Sequence, residues 1–273
     1  MSAKANVQLT RHQTGWALDG IALPAGTSLC SLLAVSRASM MSLLRGSDRA
    51  NGPLLAPCDE GHEVWASGVT YLRSRQERES ESTVADVYSR VYEAERPEIF
   101  YKTAGWRVAG HGDAIRVRRD SSWNVPEPEL TLVVNRFGEI VGYTAGNDVS
   151  SRSIEGENPL YLPQAKSYDG SCAIGPAIVL TDHSLSDIRI SLEILRGGDR
   201  VFQDETSTAM MRRSMEELVS FLFREMSFPS GVFLMTGTGI VPPQPFTLLP
   251  GDEVNIHVGD LLLSNVVAPS ESD

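Results

Sequence analysis

Hydrophobic and polar positions give the chain two textures. Residues 7–23 show short apolar–polar alternation, the period-two mark of strands. Residues 27–44 place Leu29, Leu32, Leu33, Val35, Met40, Leu43 and Leu44 at helical spacing, which predicts a helix. Asn51-Gly52-Pro53 and Ala56-Pro57-Cys58-Asp59 then punctuate the chain. Residues 46–62 therefore read as a linker between a small N-terminal domain, 1–60, and a larger one, 61–273. Across residues 82–95, Val84, Val87, Tyr88, Val91 and Tyr92 share one helical face. From Ala114 the period becomes two. Ile115 and Val117 are followed by Leu130, Leu132 and Val134, and Asn135-Arg136-Phe137-Gly138 predicts a hairpin turn before Ile140-Val141-Gly142-Tyr143. Ile188, Ile190, Leu192 and Ile194 predict a further strand, ended by Gly197-Gly198. Ser214 with Glu217 three residues on reads as a capping box, opening a helix with the stripe Met215, Leu218, Val219 and Leu222. Residues 253–263 return to alternation. The expected class is α+β and β-rich, without the regular β-α-β order of a doubly wound sheet. The glycines of residues 231–241 lack a strand–GxGxxG–helix setting and imply no dinucleotide site.

Composition narrows the function classes. The chain has 273 residues, 41% hydrophobic and 22% charged, an ordinary globular balance that excludes a largely disordered chain. Its net charge of −11 repels phosphate backbones and anionic headgroups, so neither nucleic acid nor membrane is an expected partner. No run approaches the roughly 20 apolar residues of a spanning helix. The first residues offer one lysine and no apolar segment of the signal type, so a cytoplasmic location is expected. Cys30, Cys58 and Cys172 are odd in number and lack CxxC spacing, which argues against a disulfide framework or structural zinc. His12, His62, His111, His183 and His257 show no HxH or HxxxH spacing and read as surface or structural residues.

The sharpest chemical feature is Pro126-Glu127-Pro128-Glu129-Leu130. In extended backbone Glu127 and Glu129 project from one face. Adjacent carboxylates repel, and a hard oxygen-seeking cation such as Mg²⁺ or Ca²⁺ resolves the conflict. Asp148, in Gly146-Asn147-Asp148-Val149, follows the partner strand of the hairpin, so chain reversal can return it to the pair. Arg152 is placed to meet an anionic substrate, and Lys166 near a metal can serve as a base. Glu98 and Lys102 flank an aromatic run. Each feature has a plainer alternative: a charged surface turn for the glutamates, a cap for Asp148, and solvated side chains for Lys166, Glu98 and Lys102.

Taken together in order and spacing, Val125 to Leu130, Gly142 to Arg152, Ala165 to Asp169 and Gly175-Pro176 resemble the fumarylacetoacetate hydrolase superfamily, over about residues 62–268. The resemblance implies a mixed β-roll with a small N-terminal domain, usually dimeric. It implies Glu127, Glu129 and Asp148 as ligands of Mg²⁺, with Mn²⁺ or Ca²⁺ as substitutes. Arg152 and Lys166 match the family's substrate-facing arginine and lysine, and Thr238 matches a loop contacting the substrate carboxylate. Hydrolases of the family carry Gly-x-Asn-Tyr-x-x-His-x-x-Glu; here Gly68-Val69-Thr70-Tyr71-Leu72-Arg73-Ser74 puts Ser74 in place of the histidine. A serine hydroxyl is no general base near neutral pH without help. The family's later glutamine is Glu155 here. Val69-Thr70-Tyr71 with Ser74-Arg75, Arg96 to Phe100 and the insertion 154–164 look like the 2-keto-3-deoxy-D-arabinonate dehydratase branch. That likeness implies a metal-dependent lyase acting on a 2-keto-3-deoxy sugar acid, with Lys166 and Glu98 catalytic and Lys102 and Gln164 as further substrate contacts. A C–C hydrolase or oxaloacetate decarboxylase, and a non-catalytic ligand-binding member, are the alternatives.

Overall fold

The computed structural model describes residues 7–81 and 85–269. Among them a large sheet runs in the order Asp48–Arg49, Ile21–Ala22, Gly15–Leu18, Val7–His12, Cys172–Leu180, Ile140–Asp148, Pro128–Val134, Val232–Met235, Glu63–Gly68 and Glu98–Ala104. Leu54–Leu55 adds to Val7–His12. The pairings within this sheet are antiparallel except that of Val232–Met235 with Glu63–Gly68. A second sheet orders Asp199–Ser207, Arg189–Arg196, Glu253–Val258, Leu261–Val267 and Ala114–Ile115. The β-rich α+β expectation holds.

The two sheets enclose one core, where Leu130, Leu132 and Val134 meet Ile190, Leu192, Ile194, Val254 and Ile256. The other face of the large sheet carries a second core. There Val133, Val141, Ile178 and Phe233 pack with Leu9, Leu29, Leu33 and Met40. Alternation along 130–134 therefore gave only half the burial: every residue of Pro128–Val134 is buried, because helices cover the second face.

Those helices come from the N-terminal segment. The single helix expected over 27–44 is two, Leu29–Leu33 and Arg37–Leu43, the second capped by Ser36 accepting from the Ser39 amide. The break is occupied by the predicted hairpin turn: the Arg136 amide donates to Leu33 O, and Asn135 Nδ2 to Val35 O. Residues 1–60 were expected to form a separate domain. The described part instead shares a sheet and a core with the remainder, since Val7–His12 pairs with Cys172–Leu180.

Helix Ala85–Glu93 lies within the span expected at 82–95, of which 82–84 fall outside the described residues. Helix Met215–Leu222 forms with its apolar stripe buried. Only half its capping box is made: Ser214 Oγ accepts from the Glu217 amide, whereas the Glu217 carboxylate takes Arg213 Nη1 at 2.6 Å.

Candidate active site

The hairpin assembles the carboxylates. Pro128 pairs with Asn147, and the antiparallel register continues beyond the strand end: the Asp148 amide donates to Glu127 O at 3.0 Å, and the Glu127 amide to Asn147 Oδ1 at 3.3 Å. Asp148 therefore stands across from Glu127, with Glu129 one pleat along. All three are buried, and one oxygen from each lies within 4.8 Å of the others. Gly237 closes the cluster. Its amide donates to Glu129 Oε2 at 2.6 Å from a backbone at φ +90°, where a side chain would also strike Thr70. Thr70 Oγ1 in turn donates to Thr236 O, and the Thr236 amide to Leu130 O, which pins this loop to the hairpin.

Three cations meet the cluster. Lys166 Nζ donates to Glu127 Oε2 at 2.7 Å and to Asp148 Oδ2 at 3.0 Å. Lys102 is fully buried, with Nζ 2.6 Å from Asp148 Oδ1 as a charge contact, without hydrogen-bond alignment. Its aligned hydrogen bonds go to the carbonyls of Val149 and Lys166. Arg152 Nη2 lies 3.1 Å from Glu127 Oε1. Burial, then the charges of Asp148 and Glu127, push the Glu129 carboxyl well above the usual carboxylate range, while Lys166 and the Gly237 amide oppose the shift. A buried set of oxygen donors at this spacing, already bridged by the Lys166 ammonium, suits a small hard divalent cation.

A cleft of about 320 Å³, measured with its open mouth, lies over the cluster. Glu98, Glu127, Glu129, Asp148, Lys166 and Thr238 line it together, as the sequence expectation required of one site. Glu98 arrives on strand Glu98–Ala104, opposite Gly68, and its carboxylate lies where a side chain at position 68 would stand. Three of the expected substrate contacts do not line the cleft. Lys102 and Arg152 are buried against Asp148 and Glu127, and Gln164 is exposed on helix Leu162–Lys166, its carbonyl accepting from Arg118. Motif spacing names these residues without saying on which side of the carboxylates each falls.

Ser74 also lines the cleft, but its hydroxyl donates to Tyr71 O at 2.8 Å and accepts from the Tyr71 amide. It caps its own helix and has no proton-accepting role to spare. Among the cleft residues not in the expected site are Phe100, whose ring lies 5.7 Å from Lys166 Nζ, and Glu155, buried, with one oxygen accepting from Ser150 Oγ at 3.0 Å. Glu155 carried a sequence signal, standing where the resemblance places the family's later glutamine.

A second group of metal-binding side-chain types, Cys30, Asp59 and His62, includes Cys30 of helix Leu29–Leu33. His62 Nδ1 accepts from the Asp59 amide at 2.9 Å, and Nε2 meets Ser230 O at 3.0 Å. Asp59 Oδ2 takes the Cys30 amide. Burial holds the His62 pKa down, in keeping with a neutral ring tying this segment to the sheet.

The model of the fumarylacetoacetate (FAA) hydrolase C-terminal domain matches residues 63–268. The probable 2-keto-3-deoxyxylonate dehydratase of Haloferax volcanii is 52% identical over 212 residues, 76% of this chain and 73% of that protein. The 2-dehydro-3-deoxy-D-arabinonate dehydratase of Saccharolobus solfataricus is 46% identical over 206 residues, covering 73% and 69%. A solved structure of 2-keto-3-deoxy-D-arabinonate dehydratase, complexed with magnesium and 2,5-dioxopentanoate, superposes with a TM-score of 0.82 at 33% identity, over 98% of this chain and all of that one. The matched segment contains every carboxylate of the cluster and the lysine between them, and the chain belongs to the fumarylacetoacetate hydrolase family.

Proposed function

We propose that the protein is a magnesium-dependent hydro-lyase that removes water from a 2-keto-3-deoxy sugar acid, the arabinonate or xylonate, to give a 2,5-dioxo acid. The observation that carries this reading is the placement of Lys166 inside the carboxylate cluster with Glu98 lining the same cleft. The named dehydratases at 52% and 46% identity, and the magnesium and dioxo acid of the solved relative, support it. Glu127, Glu129 and Asp148 would hold the cation, which supplies Lewis-acid polarisation of the 2-keto acid when bound. Lys166, acting as the free amine once the cation has taken over Glu127 and Asp148, takes a proton from C3. Glu98 gives one to the departing C4 hydroxyl. Thr238 receives the substrate carboxylate, while Arg152 and Lys102 hold Glu127 and Asp148 in position.

The C–C hydrolase alternative requires an activated water. Ser74, standing where those enzymes have histidine, is committed to Tyr71 and supplies no base. A non-catalytic role leaves the buried lysine and the cleft-lining Glu98 without purpose. Three unpaired cysteines fit a reducing, cytoplasmic setting, and pairing into a homodimer follows the commonest closed symmetry. A panel of 2-keto-3-deoxy acids and acylpyruvates with Mg²⁺, read by NMR of the products, tests the reading. Dehydration of a pentonate is expected; rapid acylpyruvate cleavage with every sugar acid left unchanged would overturn it.

A further inference from the structure

The reaction proposed above asks for more proton transfers than Lys166 and Glu98 account for. Loss of the C4 hydroxyl from 4,5-dihydroxy-2-oxopentanoate gives the enone 5-hydroxy-2-oxopent-3-enoate. Reaching 2,5-dioxopentanoate from there requires protons to leave C5 and its hydroxyl, one to return to C3 and one to reach C4. The ionisable side chains lining the cleft are Glu98, Glu127, Glu129, Asp148, Glu155 and Lys166. The three clustered carboxylates are the cation donors, Lys166 serves C3 and Glu98 serves the leaving hydroxyl. Glu155 remains. It is 4% exposed, carried on helix Arg152–Glu157, and Ser150 Oγ fixes one of its oxygens at 3.0 Å. A carboxylate so held has a set direction for its proton, which is what a shuttle along a short carbon chain demands.

Resting on the dehydratase reading, we infer that Glu155 is a further catalytic residue, the base that isomerises the enone to the dioxo acid by moving a proton from C5 to C4. The balance closes. Lys166 takes a C3 proton; the C4–O bond breaks as Glu98 protonates the hydroxyl, and water leaves. Glu155 then takes a C5 proton, the double bond shifts from C3–C4 to C4–C5, and the Lys166 ammonium returns its proton to C3. Finally Glu155 protonates C4 as the C5 enol hydroxyl gives its proton to Glu98 and becomes the aldehyde. Each group ends as it began, and the net change is loss of one water.

Two measurements test this. Isolated 5-hydroxy-2-oxopent-3-enoate given to the wild type should be converted to the dioxo acid far faster than in buffer. With substrate deuterated at C5, the wild type should place part of the label at C4. In Glu155→Gln, C3 exchange with D₂O and loss of the C4 hydroxyl should stay within about tenfold of wild type. Conversion of the enone should fall by about 10²–10⁴-fold, so that the conjugated acid accumulates and the C4 label disappears. A wild type that dehydrates the pentonate but does not accelerate the enone overturns the inference, whatever the variant does. A Glu155→Gln enzyme that makes dioxo acid with the C4 label unchanged overturns it too. A wild type inert toward every 2-keto-3-deoxy acid sinks the dehydratase reading instead.

Discussion

Glu129 faces two like charges with one backbone donor and a single nearby ammonium in opposition, and its carboxyl is raised accordingly. For a group raised in the folded state, the contribution to stability is present below the ordinary value of 4.5 and is lost as pH rises through the raised value. At pH 8 without metal, Glu129 therefore costs stability. Glu129→Gln should melt above wild type in chelated buffer at that pH, whereas added Mg²⁺ should raise the wild type and leave the variant unmoved. A variant melting below the chelated wild type contradicts this account. Lys166 makes a second test. It holds two of the three carboxylates, so a divalent cation competes with it for them. Lys166→Met should bind Mg²⁺ at least as tightly as wild type by calorimetry, yet lose both dehydration and exchange of C3 hydrogens with D₂O. Retained exchange would assign the base elsewhere. Motif spacing made the carboxylates, Lys166, Glu98 and Thr238 legible, because in this hairpin register and sequence separation are one relation. It did not show that Lys102 and Arg152 lie against the carboxylates, since a cation beside a carboxylate reads alike whether it faces substrate or supports the ligand from within.

Among elements, the hairpin of Pro128–Val134 and Ile140–Asp148 does two jobs at opposite ends. Its open end sets Glu127 against Asp148, and its turn enters the break between helices Leu29–Leu33 and Arg37–Leu43. The turn itself was readable from Asn135 to Gly138, with Gly138 at φ +77° as a hairpin favours. What it docks on was not, because neither partner shows the other in its local pattern. For the same reason Val133 looks outward-facing in sequence and is buried in the structure: part of its cover comes from the N-terminal helices, far upstream in the chain. Leu33 is fully buried beneath this junction. Leu33→Ala should destabilise the whole chain by about 2–5 kcal/mol in one cooperative transition. Loss of the N-terminal segment alone, with the remainder melting at the wild-type temperature, would favour the separate domain expected for residues 1–60.

For the molecule as a whole, the fold and the site draw on different residues. The two cores are built from aliphatic and aromatic side chains of both sheets and the N-terminal helices, and none of the cleft carboxylates belongs to either. A cation at the cluster is thus not needed to bury the apolar surface, unlike a small zinc-organised domain that unfolds when its metal is removed. The net charge of −11 also surrounds the cleft with a field that favours cations and fades as salt screens it. Chelation with EDTA should therefore abolish turnover while leaving the circular dichroism of the native chain in place. Mg²⁺ should restore activity without a refolding lag, and the Mg²⁺ concentration needed for half-activity should rise with added NaCl. Full activity after exhaustive chelation would remove the metal from the mechanism. Unfolding on chelation would show that the three carboxylates cannot tolerate one another without the ion, and that the Lys166 bridge is too weak to stand in for it.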